Sequence, residues 1–473
     1  MRLSDRYAFL FKNTLLFAIA NFSNKLIVFF LLPFYTAYLT KEEYAVIDMI
    51  SLAQQLIFPI VTLDITEAVI RFCMEKETDK ASVFSVSVLV SLAGYLVLGI
   101  GCATAVACSI GNSAYILYFL LFSLVLGANT LLSSFYRTID KVNVITVSSI
   151  ASTLVTTVSN VVLIAWKGMG VEGYYISYVI GNLTAIAIML LWVDLRPYLR
   201  SMTRQQIRTQ LLPLVKYSLP LIPNALFWWI NGSLDRICLI AISGLAFEGL
   251  YAAANKIPAI LSTLTSIFQQ SWGLSRFRET ESQSKQEFFD QVYGAYNLCL
   301  LCVTAALILL SKFLGSFLLS KDFFDAWPWV PWLVLAFYSN SLCSFIGTEF
   351  TAAKKTTWIL STTMVSAAVN IVLNLLLIPR FTGLGAAIAT CTSYVVLLEM
   401  RVWSLKRFFG LRINNTQLVA LHLLLVLLVL CVTHYMGVAS ILTGAVSLGL
   451  MVIIERKEAA FLLGKAKEFL HLK

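Results

Sequence analysis

The chain has 473 residues, 59% of them hydrophobic and only 13% charged, against roughly 25% charged residues in a typical soluble domain. That balance excludes a water-soluble globular protein. A net charge of +10 would suggest nucleic acid in a soluble chain, but here the cations must first be read against topology, and no nucleic-acid partner is expected.

Apolar runs, each long enough for the roughly 20 residues of a helix that crosses a bilayer core, predict an all-α polytopic membrane protein of about fourteen transmembrane helices. In chain order they fall at 11–39, 44–70, 81–108, 114–136, 143–166, 171–194, 212–242, 247–273, 289–319, 329–353, 357–379, 383–408, 416–435 and 438–454. The basic start (Arg2, Arg6, Lys12) precedes a run too long for a signal-peptide core, so the first span is expected to stay. With the N-terminus in the cytoplasm, only Lys41, Lys167, Lys312, Lys321 and Arg380 fall on the opposite side, and Lys25, Arg236 and Lys256 lie inside spans. The other Lys and Arg are then cytoplasmic, which sets the orientation. An even number of spans returns the tail (Arg456, Lys457, Lys465, Lys467, Lys473) to the same side.

No loop is long enough to fold alone, which argues against an extramembrane catalytic domain. The segment 195–211 carries Arg196, Arg200, Arg204 and Arg208 at four-residue spacing, which predicts cations gathered on one helix face. It reads either as a linker resting on anionic headgroups or as a surface that attracts an anionic lipid before entry. The nine cysteines lie in or beside apolar runs, Cys299-x-x-Cys302 included, and read as small hydrophobes. His422, His434 and His471 are separated and accompany no acidic or cysteine cluster. Neither a metal site, a cofactor nor catalytic chemistry is expected.

The fifth and eleventh predicted spans end alike, with Asn160-Val-Val-Leu-Ile164 before Gly170-Val-Glu-Gly173 and Asn374-Leu-Leu-Leu-Ile378 before Gly383-Leu-Gly-Ala386. Lys12-Asn-Thr-Leu15 and Lys216-Tyr-Ser-Leu219 open the first and seventh spans in a weaker echo. Each separation covers six spans, so the copies would be two lobes related by a pseudo-two-fold axis normal to the membrane. The expected organisation is an N-lobe over 1–198, a C-lobe over 199–410 entered through the basic linker, and a helix pair with a basic tail over 411–473. Paired lobes around a central cleft are a common transporter design.

Lys12-Asn-Thr through Leu39-Thr-Lys-Glu-Glu-Tyr44, Leu234-Asp235-Arg236-Ile237, Gly249-Leu-Tyr-Ala-Ala-Ala-Asn-Lys256 and the stretch from Asn374 to Ala387 resemble the Wzx-type polysaccharide-biosynthesis flippases. These translocases of lipid-linked oligosaccharides belong to the multidrug/oligosaccharidyl-lipid/polysaccharide exporter superfamily. The resemblance spans roughly residues 7 to 410. It implies alternating inward and outward opening, and an undecaprenyl-pyrophosphate-linked glycan carried from the cytoplasmic to the outer leaflet of a bacterial inner membrane. The extra terminal pair resembles the lipid II flippases, whose last two helices help form a lipid-facing groove. Coupling to Na+ or H+ entry is likewise what the resemblance implies. A polysaccharide polymerase and glycosyltransferases are the partners it suggests beside membrane lipids.

An ionisable residue near mid-span costs about 2.5 kcal/mol or more and normally faces a cavity or a partner. Lys25, Arg236 and Lys256 are the candidates for gripping a pyrophosphate, which cations hold far more strongly in a partly dry cavity than in water. The alternative is that Arg236 and Lys256 pair with neighbouring carboxylates and fix helix packing. Asp64, Glu67 and Arg71 are spaced to stack on one helix face, with Glu67 and Arg71 close enough to neutralise each other. Asp64, Glu67, Asp235 and Glu349 are the candidates for cation coupling. Trp228 and Trp229 are candidates for sugar stacking, whereas Trp327-Pro-Trp-Val-Pro-Trp332 reads as an interfacial anchor. Pro220, Pro223 and Pro258 would allow bending or act as static kinks. Two rivals remain: a drug exporter of the same superfamily, which would prefer an acidic, aromatic cavity, and a non-transporting assembly factor for polysaccharide synthesis.

Overall fold

The computed structural model describes residues 31–74, 78–199, 203–277, 285–353, 355–411, 413–434 and 438–454. Every regular element among them is helical. A short α1 (Leu32–Tyr38) leads to α2 (Lys41–Val61), which starts where Thr40 and Glu43 form a reciprocal capping box: Glu43 N donates to Thr40 Oγ1 at 3.1 Å, and Thr40 N to Glu43 Oε2 at 2.9 Å. Leu63 and Asp64 then take a left-handed φ of 50° each, and Asp64 N reaches Pro59 O at 3.0 Å. This reversal splits the expected 44–70 span, and a separate helix α3 (Ile65–Cys73) follows. Asp64 therefore sits at a break and does not share a continuous helix face with Glu67 and Arg71, as the spacing alone had predicted.

Next come α4 (Lys80–Ala107), α5 (Ser113–Thr138), α6 (Val142–Asn160), which runs on as a π turn over Val161–Trp166, and α7 (Gly170–Trp192). The basic linker is not one helix. Arg196 lies in a 3-10 turn (Arg196–Tyr198), and α8 (Arg204–Ser218) is begun afresh by a Thr203–Gln206 capping box, with Thr203 N donating to Gln206 Oε1 at 2.9 Å. The cap interrupts the four-residue register, so Arg196 and Arg208 belong to different helices; both are exposed. Arg200 lies outside the described residues.

The chain continues through α9 (Leu221–Ser243), α10 (Leu245–Ala254), α11 (Ala259–Phe277), α12 (Lys285–Leu309), α13 (Ser311–Leu318), a 3-10 segment (Lys321–Trp329) and α14 (Val330–Ala352). The long α15 (Thr356–Phe409), α16 (Asn415–His434) and α17 (Val438–Ile454) complete it. Pro220 and Pro258 precede helix starts and Pro223 is in the first turn of α9, where a missing N–H breaks no intrahelical bond. Among the described residues nine helices are long and apolar enough to cross a membrane, ten if Gln205–Phe227 and Gly232–Ser243 count as one broken span. The chain is a multi-pass, all-helical membrane protein.

It packs as two units, one Tyr38–Ser233, the other residues 31–37 together with everything from Leu234 on. In the first, Phe84 stacks on Phe135 at 4.0 Å between ring centres, beside Val69, Tyr136 and Met189. Tyr136 OH donates to Met189 O at 2.8 Å and Tyr175 OH to Ile47 O at 2.9 Å, giving two buried phenols their partners. Gly94 meets the Val61 carbonyl oxygen, so the backbones of α2 and α4 touch where any side chain would intervene. Leu92, Leu96 and Val97 on α4 and Leu154 and Val158 on α6 are exposed, an outward apolar face suited to lipid.

The second unit has an aromatic core in which Trp272 stacks on Phe345 at 4.9 Å and Phe268 on Tyr296 at 4.4 Å. Here α1 is anchored through Thr36, whose hydroxyl donates to Leu318 O at 3.0 Å and accepts from Ser320 N at 3.1 Å. On α16, His422 Nδ1 lies 2.9 Å from Leu418 O and Nε2 lies 3.1 Å from Ser339 Oγ of α14. Trp327 and Trp329 are buried, and the Trp329 ring fills the space beside Gly383. The expected interfacial anchor is thus a packing element: the rings close over a helical turn, which uses the same apolar faces that would otherwise meet the headgroup layer.

Candidate functional site

The site is built on α15, which is not a single rod. Thr382 has φ 50° and ψ −127°, and the helix folds back on itself there. Ser366 Oγ donates to Ser393 O at 2.9 Å, Asn370 Nδ2 to Thr390 Oγ1 at 3.4 Å, and Arg401 Nη2 to Thr363 Oγ1 at 3.2 Å. As one partner rises in number the other falls, which defines an antiparallel hairpin whose arms are each long enough to span a bilayer. Gly385 packs against the Leu377 backbone, where a Cβ would collide, so the glycines singled out in the sequence close the turn.

The polar residues of this hairpin line its seam. On one arm Asn374, Asn370, Ser366 and Thr363 recur every three to four residues, and on the other Thr390 and Ser393 are three apart, with Arg401 eight residues further on. Asn374 Nδ2 donates to Asn370 Oδ1 at 2.9 Å. Asp235 of α9 meets the seam here: its Oδ2 accepts from Tyr251 OH of α10 at 2.5 Å and from Thr390 Oγ1 at 3.3 Å, while Oδ1 accepts from Arg236 N at 2.9 Å. Asp235 is 8% exposed and Asn374 fully buried, and Asn374 Oδ1 has no hydrogen-bond partner among the described residues. Three helical elements thus bring a carboxylate and two hydroxyls together, and hydrogen bonds run on from Thr390 through Asn370 to Asn374; the oxygens along this path are of the type that hard cations take.

Of the residues expected from sequence, Asp235 stands at the centre of this network with Arg236 beside it, half-buried, and Lys256 half-buried just beyond α10. Lys25 lies outside the described residues, as does the side chain of Trp228. Trp229 donates its indole N–H to Leu52 O at 2.8 Å. Glu67 is exposed on α3, Asp64 is half-buried at the break before it, and Glu349 is buried in α14. No group of three or more His, Cys, Asp or Glu that could hold a metal ion occurs among the described residues.

Sequence reasoning missed the neutral members, Tyr251, Asn370 and Thr390. It also placed Arg401 with the cytoplasmic cations. Arg401 is 3% exposed, and its Nη1 donates to Cys343 O at 2.7 Å beside Gly347, whose missing side chain admits it. Glu248, fully buried on α10, was missed as well. One signal for Asn370 and Asn374 was present: two amides one helical turn apart within an apolar run.

This fold is shared with membrane transporters of known structure. It is similar to a lipid II flippase, MurJ, in an inward closed conformation, with a TM-score of 0.68 and 14% identity over 96% of this chain and 99% of that one. It is also similar to an inward-facing multidrug resistance MATE transporter of the MOP superfamily (TM-score 0.61, 12% identity, 83% of this chain and 99% of that one). A mutant of the Vibrio cholerae MATE transporter VcmN gives 0.57 at 12% identity, over 86% and 98%. No curated protein matches in sequence. Residues 10–272 match the polysaccharide biosynthesis protein family. The chain belongs to that family.

Proposed function

We propose that this protein is an alternating-access flippase that moves an undecaprenyl-pyrophosphate-linked oligosaccharide from the cytoplasmic to the outer leaflet of a bacterial inner membrane. In this reading two six-helix lobes and a terminal pair bring the fourteen expected spans together, with both termini in the cytoplasm. Family membership supports the class of cargo. The fold likeness to a lipid II flippase supports a lipid-linked one.

The observation that carries the mechanism is the buried Asp235 network. A carboxylate held inside the membrane is stable only with a proton or a cation close by, and the adjacent Arg236 supplies part of that charge. Tyr251 and Thr390 orient it, and the unpartnered Asn374 oxygen offers a further ligand on the seam. A cation taken up here from the side where it is abundant and released on the other would bias which conformation the transporter occupies, by as much as its affinity differs between the two. Lys25, Arg236 and Lys256 are the groups assigned to the pyrophosphate, whose charge suits a basic cavity and would not suit the acidic one of a cationic-drug exporter.

The test is reconstitution of the purified chain with a polyprenyl-pyrophosphate-linked glycan, reading which leaflet displays the sugar by its access to an added lectin. Protein-dependent movement is expected, with loss on Arg236→Gln and Lys256→Gln in correctly inserted protein. Undiminished movement in both variants defeats the headgroup assignment. No movement by the native chain, together with export of cationic dyes, favours the drug-exporter reading.

A further inference from the structure

At the end of the α15 hairpin away from Thr382, basic and aromatic side chains form a cluster that the transport reading does not use. Lys355 Nζ stands 4.7 Å from the centre of the Phe408 ring and 5.3 Å from that of Phe409. The Arg407 guanidinium stands 5.0 Å from the Trp403 ring centre and 5.9 Å from that of Phe408. Trp358 packs on Phe408 from the opposite arm at 4.7 Å. Phe408 is therefore shared by two cations, one capping the start of the first arm and one on the second. Neither cation forms an ion pair with a carboxylate among the described residues; the rings hold them by cation–π attraction. That arrangement leaves their N–H donors to an incoming acceptor while fixing where they stand, which lowers the ordering cost of binding one.

What lies alongside argues that the acceptor is attached to a hydrocarbon chain. Trp358, Val365 and Val372 share a helix face at seven-residue spacing and are 36%, 42% and 55% exposed. They make an apolar stripe of about 21 Å at 1.5 Å per residue, comparable to an extended acyl chain and starting at the cations. Trp403, 55% exposed beside Arg407, supplies an amphipathic ring of the kind that suits a boundary between headgroup and hydrocarbon. A dissolved anion has no use for the stripe, and a neutral lipid has none for Lys355 and Arg407.

We propose that this end of the α15 hairpin is a binding site for an anionic phospholipid, its phosphate held between Lys355 and Arg407 and its acyl chain lying along Trp358, Val365 and Val372. The site is independent of the Asp235 network and of which cargo is moved.

Native mass spectrometry of the purified full chain, exchanged into mixtures of phosphatidylglycerol and phosphatidylcholine, measures it. Each interfacial cation contributes about a fivefold preference, so two should retain phosphatidylglycerol roughly 25-fold over phosphatidylcholine. Lys355→Gln with Arg407→Gln should remove that preference while Arg137→Gln with Lys141→Gln, at two exposed cations elsewhere, leaves it in place. Exposed Arg407→Gln alone, which disturbs folding least, should cost about fivefold. Equal retention by the native chain and the double variant overturns the proposal. So does displacement of the lipid by inorganic phosphate at comparable concentration, which would mark a site for a free anion, or preferential retention of undecaprenyl phosphate, which would make it a port for the carried lipid.

Discussion

In the α6–α7 hairpin of the first unit, Thr153, Thr157 and Ser177 each return a hydroxyl to their own helix, at 2.9, 2.8 and 2.7 Å. In the α15 hairpin, Ser366 and Arg401 bond across to the other arm, and Thr390 bonds to Asp235 on a different helix. The two are otherwise alike. Both arms-and-turn units pack antiparallel, with Gly181 against Ser152 and Thr156 in one and Gly385 against Leu377 in the other. In both, the turn follows a fully buried asparagine, Asn160 or Asn374. Both also disturb the helix just before the turn, by a π turn over Val161–Trp166 in one and by Pro379 in the other. Hydroxyls satisfied locally ask nothing of their neighbours and serve packing. Amides and hydroxyls satisfied across arms, around a carboxylate, form a network whose members depend on one another.

Substitutions at matched places should separate the two hairpins. Asp235→Asn keeps the side-chain shape and removes the charge, so transport should fall on the order of 50-fold, taking about 2.5 kcal/mol for a mid-membrane carboxylate. The leaflet assay checks this against unchanged thermal stability. Gly383→Leu drives a side chain into Trp329 and should destabilise by about 1–3 kcal/mol, with Gly181→Leu costing a similar amount because close packing is common to both hairpins; thermal melts in one detergent compare them. Asn374→Leu removes one oxygen ligand and should raise the cation concentration for half-maximal transport about tenfold, the equivalent of about 1.4 kcal/mol, with little change in maximal rate. Thr157→Val should stay within about 0.5 kcal/mol of the native stability and transport normally, since its hydroxyl serves only its own helix.

Much of this was legible in the sequence, for reasons particular to certain residues. The long apolar runs and the repeated Asn-to-Gly stretches announced the helices and both hairpins, because membrane helices obey one hydropathy rule and tight turns demand small residues. Asp235 stood out because a charge in an apolar run is rare. Its partners did not: Tyr251, Asn370 and Thr390 are ordinary residues in a membrane helix, and only the return of the chain at Thr382 puts Asn370 next to Thr390. Arg401 was hidden by the neighbouring Lys406 and Arg407, which suggested a solvated stretch. The Arg196-to-Arg208 spacing misled because it ignored Thr203-x-x-Gln206, a helix start that the sequence itself contained. Trp327 and Trp329 misled differently, since an indole serves an interface and a core equally well and composition does not choose between them.

The claim that a cation works at Asp235 is tested most directly by imposing a Na+ or H+ gradient on proteoliposomes that hold either the native chain or Asp235→Asn. The account predicts that one of the two gradients accelerates glycolipid movement by the native chain and leaves the variant's slow rate unaltered. Equal acceleration of both proteins, or a native rate indifferent to either ion, would contradict it.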